Sequence, residues 1–224
     1  MQSKKRNARI AGVLYLLVII LGVFAEKYVR TGLIELDQSE KTISNIIEHD
    51  LLFRLGFLGD LGMQFTYFLL AIFMYSILKN TCELTAKTML LSVCIAVAIM
   101  CLNMLNQYAP LLLLSTTNEP LEFTNNLVVF YIQMHSHGYH IAQLFFGFWL
   151  LPLGFLIRKS KHFPNIIGYG LIIGCFGYLL DFIIYFLSPE TNQNLSEFIT
   201  APADIAEISL CLFLLVAGIK QNNN

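Results

Sequence analysis

Long apolar stretches alternate with short polar segments along almost the whole chain. A helix that crosses a membrane needs about 20 consecutive, mainly apolar residues, and six stretches approach or exceed that length. The pattern predicts an all-α fold, a polytopic bundle of six transmembrane helices that forms a single domain over residues 1–224. The predicted spans are residues 10–27, 51–78, 88–114, 127–157, 164–187 and 202–219.

Composition agrees with a membrane environment. Hydrophobic residues make up 56% of the 224 residues and charged residues 13%, against about 25% charged residues in a soluble domain. The net charge is −1, and the longest basic run is Lys4–Arg6. Nucleic-acid binding requires clustered Lys and Arg to neutralise phosphates, so this class of function is excluded. The lipid bilayer is the partner that the composition indicates.

The charges of the loops predict the orientation of the bundle, because Lys and Arg concentrate in cytoplasmic loops. One side of the predicted bundle carries Lys4–Arg6, Lys79, Lys87, Arg158, Lys159, Lys161 and Lys220. The other side carries Glu35, Asp37, Glu40, Glu48, Glu119, Glu122, Glu190 and Glu197. Lys27, Arg30 and Lys41 on the second side weaken the contrast without reversing it. We therefore expect both termini in the cytoplasm.

The longest loop, residues 28–50, lies on the outer side in this topology. Ile43, Ile46 and Ile47 recur there at helical spacing between polar residues. This spacing predicts a short amphipathic helix, at about residues 41–50, that lies in the outer membrane interface. Two roles stay open for it: a lid over a site, or a simple connector on the lipid headgroups.

Polar and ionisable side chains within the predicted spans are the candidate functional residues. A charge at the centre of a span costs about 2.5–3.5 kcal/mol on insertion scales, so these side chains are expected to face protein or water. With a rise of about 1.5 Å per residue, all of them fall in the outer half or near the midplane. They are Glu26, Arg54, Asp60, Asn103, Asn106, Gln107, Gln133, His135, His137, His140, Gln143, Asp181, Asp204 and Glu207. Their depth predicts an outward-facing polar pocket that is closed toward the cytoplasm.

Three interpretations of this pocket stay open. In the first, the pocket binds or transports a small polar or lipid-like ligand, or a proton, with His137 and His140 as relay groups. Its ligand-binding residues are Arg54, Asp60, Asn103, Gln107, Asp181 and Glu207. In the second, His137 and His140, spaced i, i+3, join Asp181 around a divalent metal ion in an intramembrane hydrolase. In the third, the protein is structural, and its buried hydrogen bonds and ion pairs fix the packing of the helices.

Arg54 is central to the first and third interpretations. It is the basic residue that the predicted spans place deepest in the membrane. A buried charge is costly unless it is paired. We therefore expect Arg54 to pair with one of four carboxylates, Glu26, Asp60, Asp181 or Glu207.

Motifs for the common enzyme classes do not occur in the sequence. The chain contains no Walker loop, no G-x-G-x-x-G and no G-x-S-x-G. Its five cysteines include no C-x-x-C pair, so a zinc knuckle or a thioredoxin-like redox motif is not indicated. The sequence therefore identifies no catalytic residue, and the enzyme question stays open.

Four stretches carry a resemblance to a known family. They are Ala8–Leu16, Leu52–Leu61, Phe145–Asp181 and Glu207–Gly218. Together they resemble the bacterial membrane family catalogued as domain of unknown function 4386. The resemblance implies a multi-pass protein of the bacterial cytoplasmic membrane, with Arg54, Asp60, a histidine of the fourth span, Asp181 and Glu207 at family-like positions. It implies no activity. The chain departs from the family pattern at Cys211–Phe213, where a tryptophan-containing run is usual.

Overall fold

The computed structural model describes residues 2–35, 37–116 and 121–217. The helices are α1 (Gln2–Val23), α2 (Thr31–Leu33), α3 (Ser39–Glu48), α4 (Asp50–Leu78), α5 (Glu83–Thr116), α6 (Leu121–Lys159), α7 (Asn165–Leu187) and α8 (Pro189–Val216). A π-helical segment, Phe24–Arg30, joins α1 to α2 and is called the π turn below. The described ranges contain no β-strand, which confirms the all-α class.

Within these ranges, six helical segments are long and apolar enough to cross a membrane. They are Lys5–Leu33, Asp50–Leu78, Glu83–Ser115, Glu122–Lys159, Asn165–Leu187 and Leu195–Val216. The chain is therefore a multi-pass membrane protein, as the apolar pattern predicts. Its orientation stays a prediction. Glu119 and Lys220, and the predicted end of the last span, lie outside the described residues.

The first membrane helix is longer than its predicted bounds, because it continues to Leu33 instead of ending near residue 27. The π turn makes this possible. The backbone N–H of Thr31 bonds to the carbonyl oxygen of Glu26, and the Thr31 hydroxyl donates to the same oxygen at 3.0 Å. Bonds between residues five apart are characteristic of a π-helix. As a result Arg30, which the sequence places in a loop, is helical.

Contacts divide the chain into two compact units. The first unit comprises the residues up to Leu16, residues 66–97 and the residues from His140 onward. The second unit comprises Leu17–Phe65 and Ala98–Tyr139. Each unit is described by itself below.

The second unit has an apolar core that includes helix α3. Ile43 and Ile46 of α3 are buried beside Val29, Leu33 and Phe53. The Asn45 side-chain amide donates to the carbonyl oxygen of Leu33 at 3.1 Å. Helix α3 is therefore held to the unit by its apolar side and by polar contacts, which include those of the Thr42 hydroxyl with the backbone of Glu35. Its location at a membrane surface stays a prediction.

The first unit is packed through small residues. A Cβ atom built at Gly174 of α7 would lie 2.6 Å from the Cα of Ala203 on α8. A Cβ at Gly154 of α6 would lie 2.6 Å from the carbonyl oxygen of Gly168 on α7. Small residues let membrane helices approach closely, because van der Waals contact is a main source of helix association in lipid. Glycine at both positions sets the spacing of α6, α7 and α8.

Candidate functional site

A partly buried ion-pair network, in which the Glu26 side chain is 53% exposed, lies in the second unit where the π turn packs against α4. Nε of Arg30 donates to Oε2 of Glu26 at 2.7 Å, and Nη1 of Arg30 pairs with Oδ2 of Asp60. The Arg30 side chain is 12% exposed and that of Asp60 is fully buried. Nη1 of Arg30 also lies 3.4 Å from Oε1 of Gln107 on α5. Placing ions out of water costs several kcal/mol each, so the network depends on these contacts.

Several polar atoms around this network are buried and make no hydrogen bond of standard geometry to a described residue, while the Gln107 side chain still interacts with the Asp60 carboxylate. They are Oδ1 of Asp60, both amide atoms of Gln64, Nε2 of Gln107 and Nε2 of His135. Gln64 lies one turn after Asp60 on the same face of α4, and it too is fully buried. His135 of α6 has an electrostatic interaction with the charge of Arg30. We call Glu26, Arg30, Asp60, Gln64, Gln107 and His135 the Arg30 cluster.

Buried polar atoms without hydrogen bonds lower the stability of the folded protein. A buried donor or acceptor without a partner costs about 1–3 kcal/mol, and most buried polar side-chain atoms in proteins have a partner. The Arg30 cluster offers both kinds of group. Oδ1 of Asp60 is an acceptor, Nε2 of Gln107 is a donor, and the Gln64 amide is both. Such an arrangement is suited to a guest that supplies donors and acceptors.

The expected pairing of Arg54 is wrong. Its Nε lies 2.8 Å from Oδ2 of Asp50, one turn earlier on α4, and its side chain is 42% exposed. Its Nη1 lies 3.3 Å from the hydroxyl of Tyr108. Arg54 is therefore a surface residue of the helix end, and Arg30 is the cation that pairs with Asp60. The i, i+4 spacing of Asp50 with Arg54, and of Glu26 with Arg30, is the sequence signal that could have found both pairs.

Asn103, another predicted site residue, contacts the backbone of a neighbouring helix. Its Nδ2 donates to the carbonyl oxygen of His135 at 2.8 Å, and its Oδ1 accepts from Asn106 at 3.0 Å. A Cβ atom at Gly138 would overlap the Asn103 amide. These contacts use the amide of Asn103 to join α5 to α6. Gln107, one turn later, contacts Arg30 instead.

Asp181 and Glu207 belong to the first unit. Asp181 is buried, and its Oδ2 accepts a hydrogen bond from Nε2 of Gln143 at 2.6 Å. Oε1 of Glu207 accepts a hydrogen bond from the hydroxyl of Tyr15 at 2.6 Å. Each carboxylate is therefore held by a neutral donor. The sequence identified both carboxylates and Gln143 as polar residues of the spans, but it did not identify Tyr15.

Tyr15 lies at one end of an aromatic frame in the first unit, a series of ring contacts through Trp149, Tyr67 and Phe146. The ring of Trp149 lies 6.3 Å from that of Tyr15 and 5.2 Å from that of Tyr67. Tyr67 also contacts Phe146, with 5.3 Å between ring centroids. Trp149 is fully buried, and its Nε1 makes no hydrogen bond within standard limits to a described residue. Sequence analysis missed this frame, because aromatic residues in apolar spans look like ordinary packing residues.

The histidines of the metal interpretation have other neighbours. The ring of His140 stacks on that of Tyr185, with centroids 3.4 Å apart and planes 6° apart. Asp181 bonds to Gln143, as described above. Across residues 2–35, 37–116 and 121–217, no three His, Cys, Asp or Glu side chains are grouped to hold a metal ion. The arrangement gives no support to a set of His137, His140 and Asp181, and a divalent metal stays an untested alternative.

Comparison with known proteins gives the family but no activity. The family model described as Domain of unknown function (DUF4386) matches residues 10–218, which is nearly the whole chain. No curated protein and no solved structure matches the chain. The match confirms the resemblance that the four sequence stretches indicate. The chain belongs to the DUF4386 family.

Proposed function

We propose that this chain binds a small polar or lipid-like molecule at the Arg30 cluster, within the bacterial cytoplasmic membrane. The observation that carries the proposal is the set of buried, unpartnered polar atoms on Asp60, Gln64, Gln107 and His135. In a purely structural cluster, these atoms would destabilise the folded protein, because each has lost the hydrogen bond that it makes in water. In a binding site, the guest satisfies them.

The charges of the cluster indicate the kind of guest. Arg30 contributes one positive charge, and the carboxylates of Glu26 and Asp60 that pair with it contribute two negative charges. An anionic guest would therefore meet excess negative charge, and Arg30 is already occupied. A neutral or cationic group that both donates and accepts hydrogen bonds fits better, such as a hydroxyl, amide or amine group.

The position of the cluster along the helices favours entry from the outer side. Glu26 and Arg30 lie near the end of the first membrane helix, and Asp60 lies in the first half of the next long helix, α4. With the orientation predicted from the loop charges, both places are toward the outer membrane surface. Helix α3, which follows the first membrane helix, covers part of the same unit.

The structural interpretation makes a different use of the same residues. There, the Arg30 and Asp60 pair fixes the π turn against α4, and the unpartnered atoms bind nothing. Replacing a buried polar group by an apolar one of similar size is then neutral or stabilising. Gln64→Leu separates the two interpretations, because it removes two unpartnered atoms without disturbing the ion pairs.

The test measures small molecules that copurify with the full chain in mild detergent, by extraction and mass spectrometry. Gln133→Leu is the matched control, because Gln133 is an exposed glutamine on α6 of the same unit. The wild type and Gln133→Leu should retain a common molecule, and Gln64→Leu should retain about tenfold less, since a lost buried hydrogen-bond set costs at least about 1.4 kcal/mol. Equal retention by all three proteins, or no molecule above the detergent blank, contradicts the proposal.

A further inference from the structure

A cavity of about 500 Å³ lies in the first unit, beside the start of α5 and the end of α6. It is lined by Cys82, Thr85, Phe155, Leu156, Arg158 and Lys159. These residues belong to the ends of two membrane helices and to the residue before α5. The cavity therefore lies near the boundary between apolar helix and polar loop.

The lining of the cavity combines cationic and apolar chemistry. Arg158 and Lys159 supply two positive charges, Thr85 and Cys82 supply polar groups, and Phe155 and Leu156 are apolar. None of the described residues that line it carries a carboxylate. Residues 79–87 and 158–161 contain five Lys or Arg but only one acidic residue, Glu83. Glu83 is paired with Lys87 at 2.9 Å, so the surroundings of the cavity stay strongly positive.

Arg158 is held in position from α7. Its Nη2 donates to the hydroxyl of Tyr169 at 3.1 Å, and its guanidinium carbon lies 4.1 Å from the centroid of the Tyr169 ring. A Cβ atom at Gly168 would lie 2.5 Å from Cγ of Arg158, so this glycine makes room for the side chain. A guanidinium carries five N–H donors, and the contact with Tyr169 uses one.

Both cations are available to a guest. Neither Arg158 nor Lys159 forms an ion pair with a described carboxylate. A guanidinium matches the geometry of phosphate oxygens, and an ammonium adds a second positive charge. Basic pockets between membrane helices on the cytoplasmic side are typical binding sites for the headgroups of anionic lipids.

We propose that this cavity binds a phosphate-bearing anion between Arg158 and Lys159. The same chemistry is offered by the headgroup of an anionic phospholipid and by free phosphate. The apolar side chains of Phe155 and Leu156, next to the cations, are suited to the first part of an acyl chain. This site lies in the first unit and uses none of the residues of the Arg30 cluster. The two proposals are therefore independent, and each can be tested without the other.

Cys82 provides a reporter within the cavity. The hydroxyl of Thr85 donates to its sulfur at 3.2 Å, and this hydrogen bond lowers the pKa of the Cys82 thiol below its usual value. A water-soluble maleimide should therefore react with Cys82 readily at neutral pH. An anion bound between Arg158 and Lys159 would block the approach of the reagent. Cys82→Ser measures the background from the other cysteines.

The experiment follows Cys82 alkylation of the full chain in detergent, with added phosphatidylglycerol, phosphatidylcholine or inorganic phosphate. Phosphatidylglycerol should slow the reaction at concentrations where phosphatidylcholine does not. Lys159→Gln should raise the half-protecting concentration about fivefold, and Arg158→Gln with Lys159→Gln about twenty-fivefold. Lys79→Gln with Lys161→Gln is the control, because it removes two charges from the same loops without touching the cavity lining, and it should change the value by at most about twofold.

Each outcome either identifies the source of the phosphate group or overturns the proposal. Protection by phosphatidylglycerol alone assigns the site to a lipid headgroup. Protection by millimolar inorganic phosphate without lipid assigns it to free phosphate. No protection by either anion overturns the proposal, and so does an equal loss in the control variant, because diffuse surface charge would then explain the binding.

Discussion

Arg30 of the π turn and Asp60 of α4 form an ion pair in which the carboxylate is fully buried. A π-helical turn inserted in a membrane helix is rare and often occurs at a functional site. Here it keeps Glu26 and Arg30 on the same helical stretch, so that both can meet in one network. The π turn and the ion pairs of Arg30 therefore lie in the same part of the second unit.

Asp60→Asn should destabilise the protein strongly. The change removes the negative partner of Arg30 within the buried network, and breaking a buried pair costs about 3–5 kcal/mol. Asp50→Asn removes the partner of Arg54 in the same helix, but that pair is exposed, so little change is expected. Thermal unfolding in detergent compares the two variants. Similar unfolding temperatures for both would show that the Arg30 pair is solvated.

The hydroxyl of Tyr15 should stabilise the first unit through Glu207. Tyr15→Phe removes the 2.6 Å hydrogen bond to the partly buried Glu207 carboxylate, and a hydrogen bond to a charged group contributes about 1.5–3 kcal/mol. Tyr28→Phe is the control, because the Tyr28 side chain is 65% exposed. Unfolding midpoints of Tyr15→Phe, Glu207→Gln and the double variant give the coupling between the two groups. Strictly additive losses would contradict the hydrogen bond.

Alkylation of Cys82 should depend on pH in a defined direction. The hydrogen bond from Thr85 stabilises the thiolate and so lowers the thiol pKa. The reaction rate should therefore rise with pH at values below those of an ordinary thiol, and Thr85→Ala should move the profile to higher pH. Thr88→Ala is the control, because the Thr88 hydroxyl donates to the Leu84 carbonyl oxygen instead. Coincident profiles for the wild type and Thr85→Ala would rule out this role of Thr85.

The fold was more predictable than the site, for physical reasons. Twenty or so apolar residues in a row permit one main solution in lipid, a helix that satisfies its own backbone, and this is why the six helices follow from the sequence. Asp60 and Gln107 stood out because a polar side chain within a span requires an explanation. Arg30 did not stand out, because a charged segment after an apolar stretch resembles a loop. No simple sequence pattern predicts a π turn.

Contacts between residues that are far apart in the chain could not be predicted from the sequence. The pairing of Arg30 with Asp60 joins residues 30 positions apart, and the pairing of Tyr15 with Glu207 joins residues 192 positions apart. The cavity beside Lys159 is also a product of tertiary packing. The loop charges predict the orientation of the bundle, but they gave no indication of a cavity or of Cys82 in its lining.

The stability of Gln64→Leu, measured before and after lipids and small molecules are stripped from the protein, tests the central claim most directly. A ligand that binds the folded protein stabilises it, and an unpartnered buried amide destabilises it. The account predicts a reversal: Gln64→Leu unfolds at a lower temperature than the wild type as purified and at a higher temperature after stripping. If Gln64→Leu unfolds at the higher temperature in both states, the cluster holds no ligand and its role is structural.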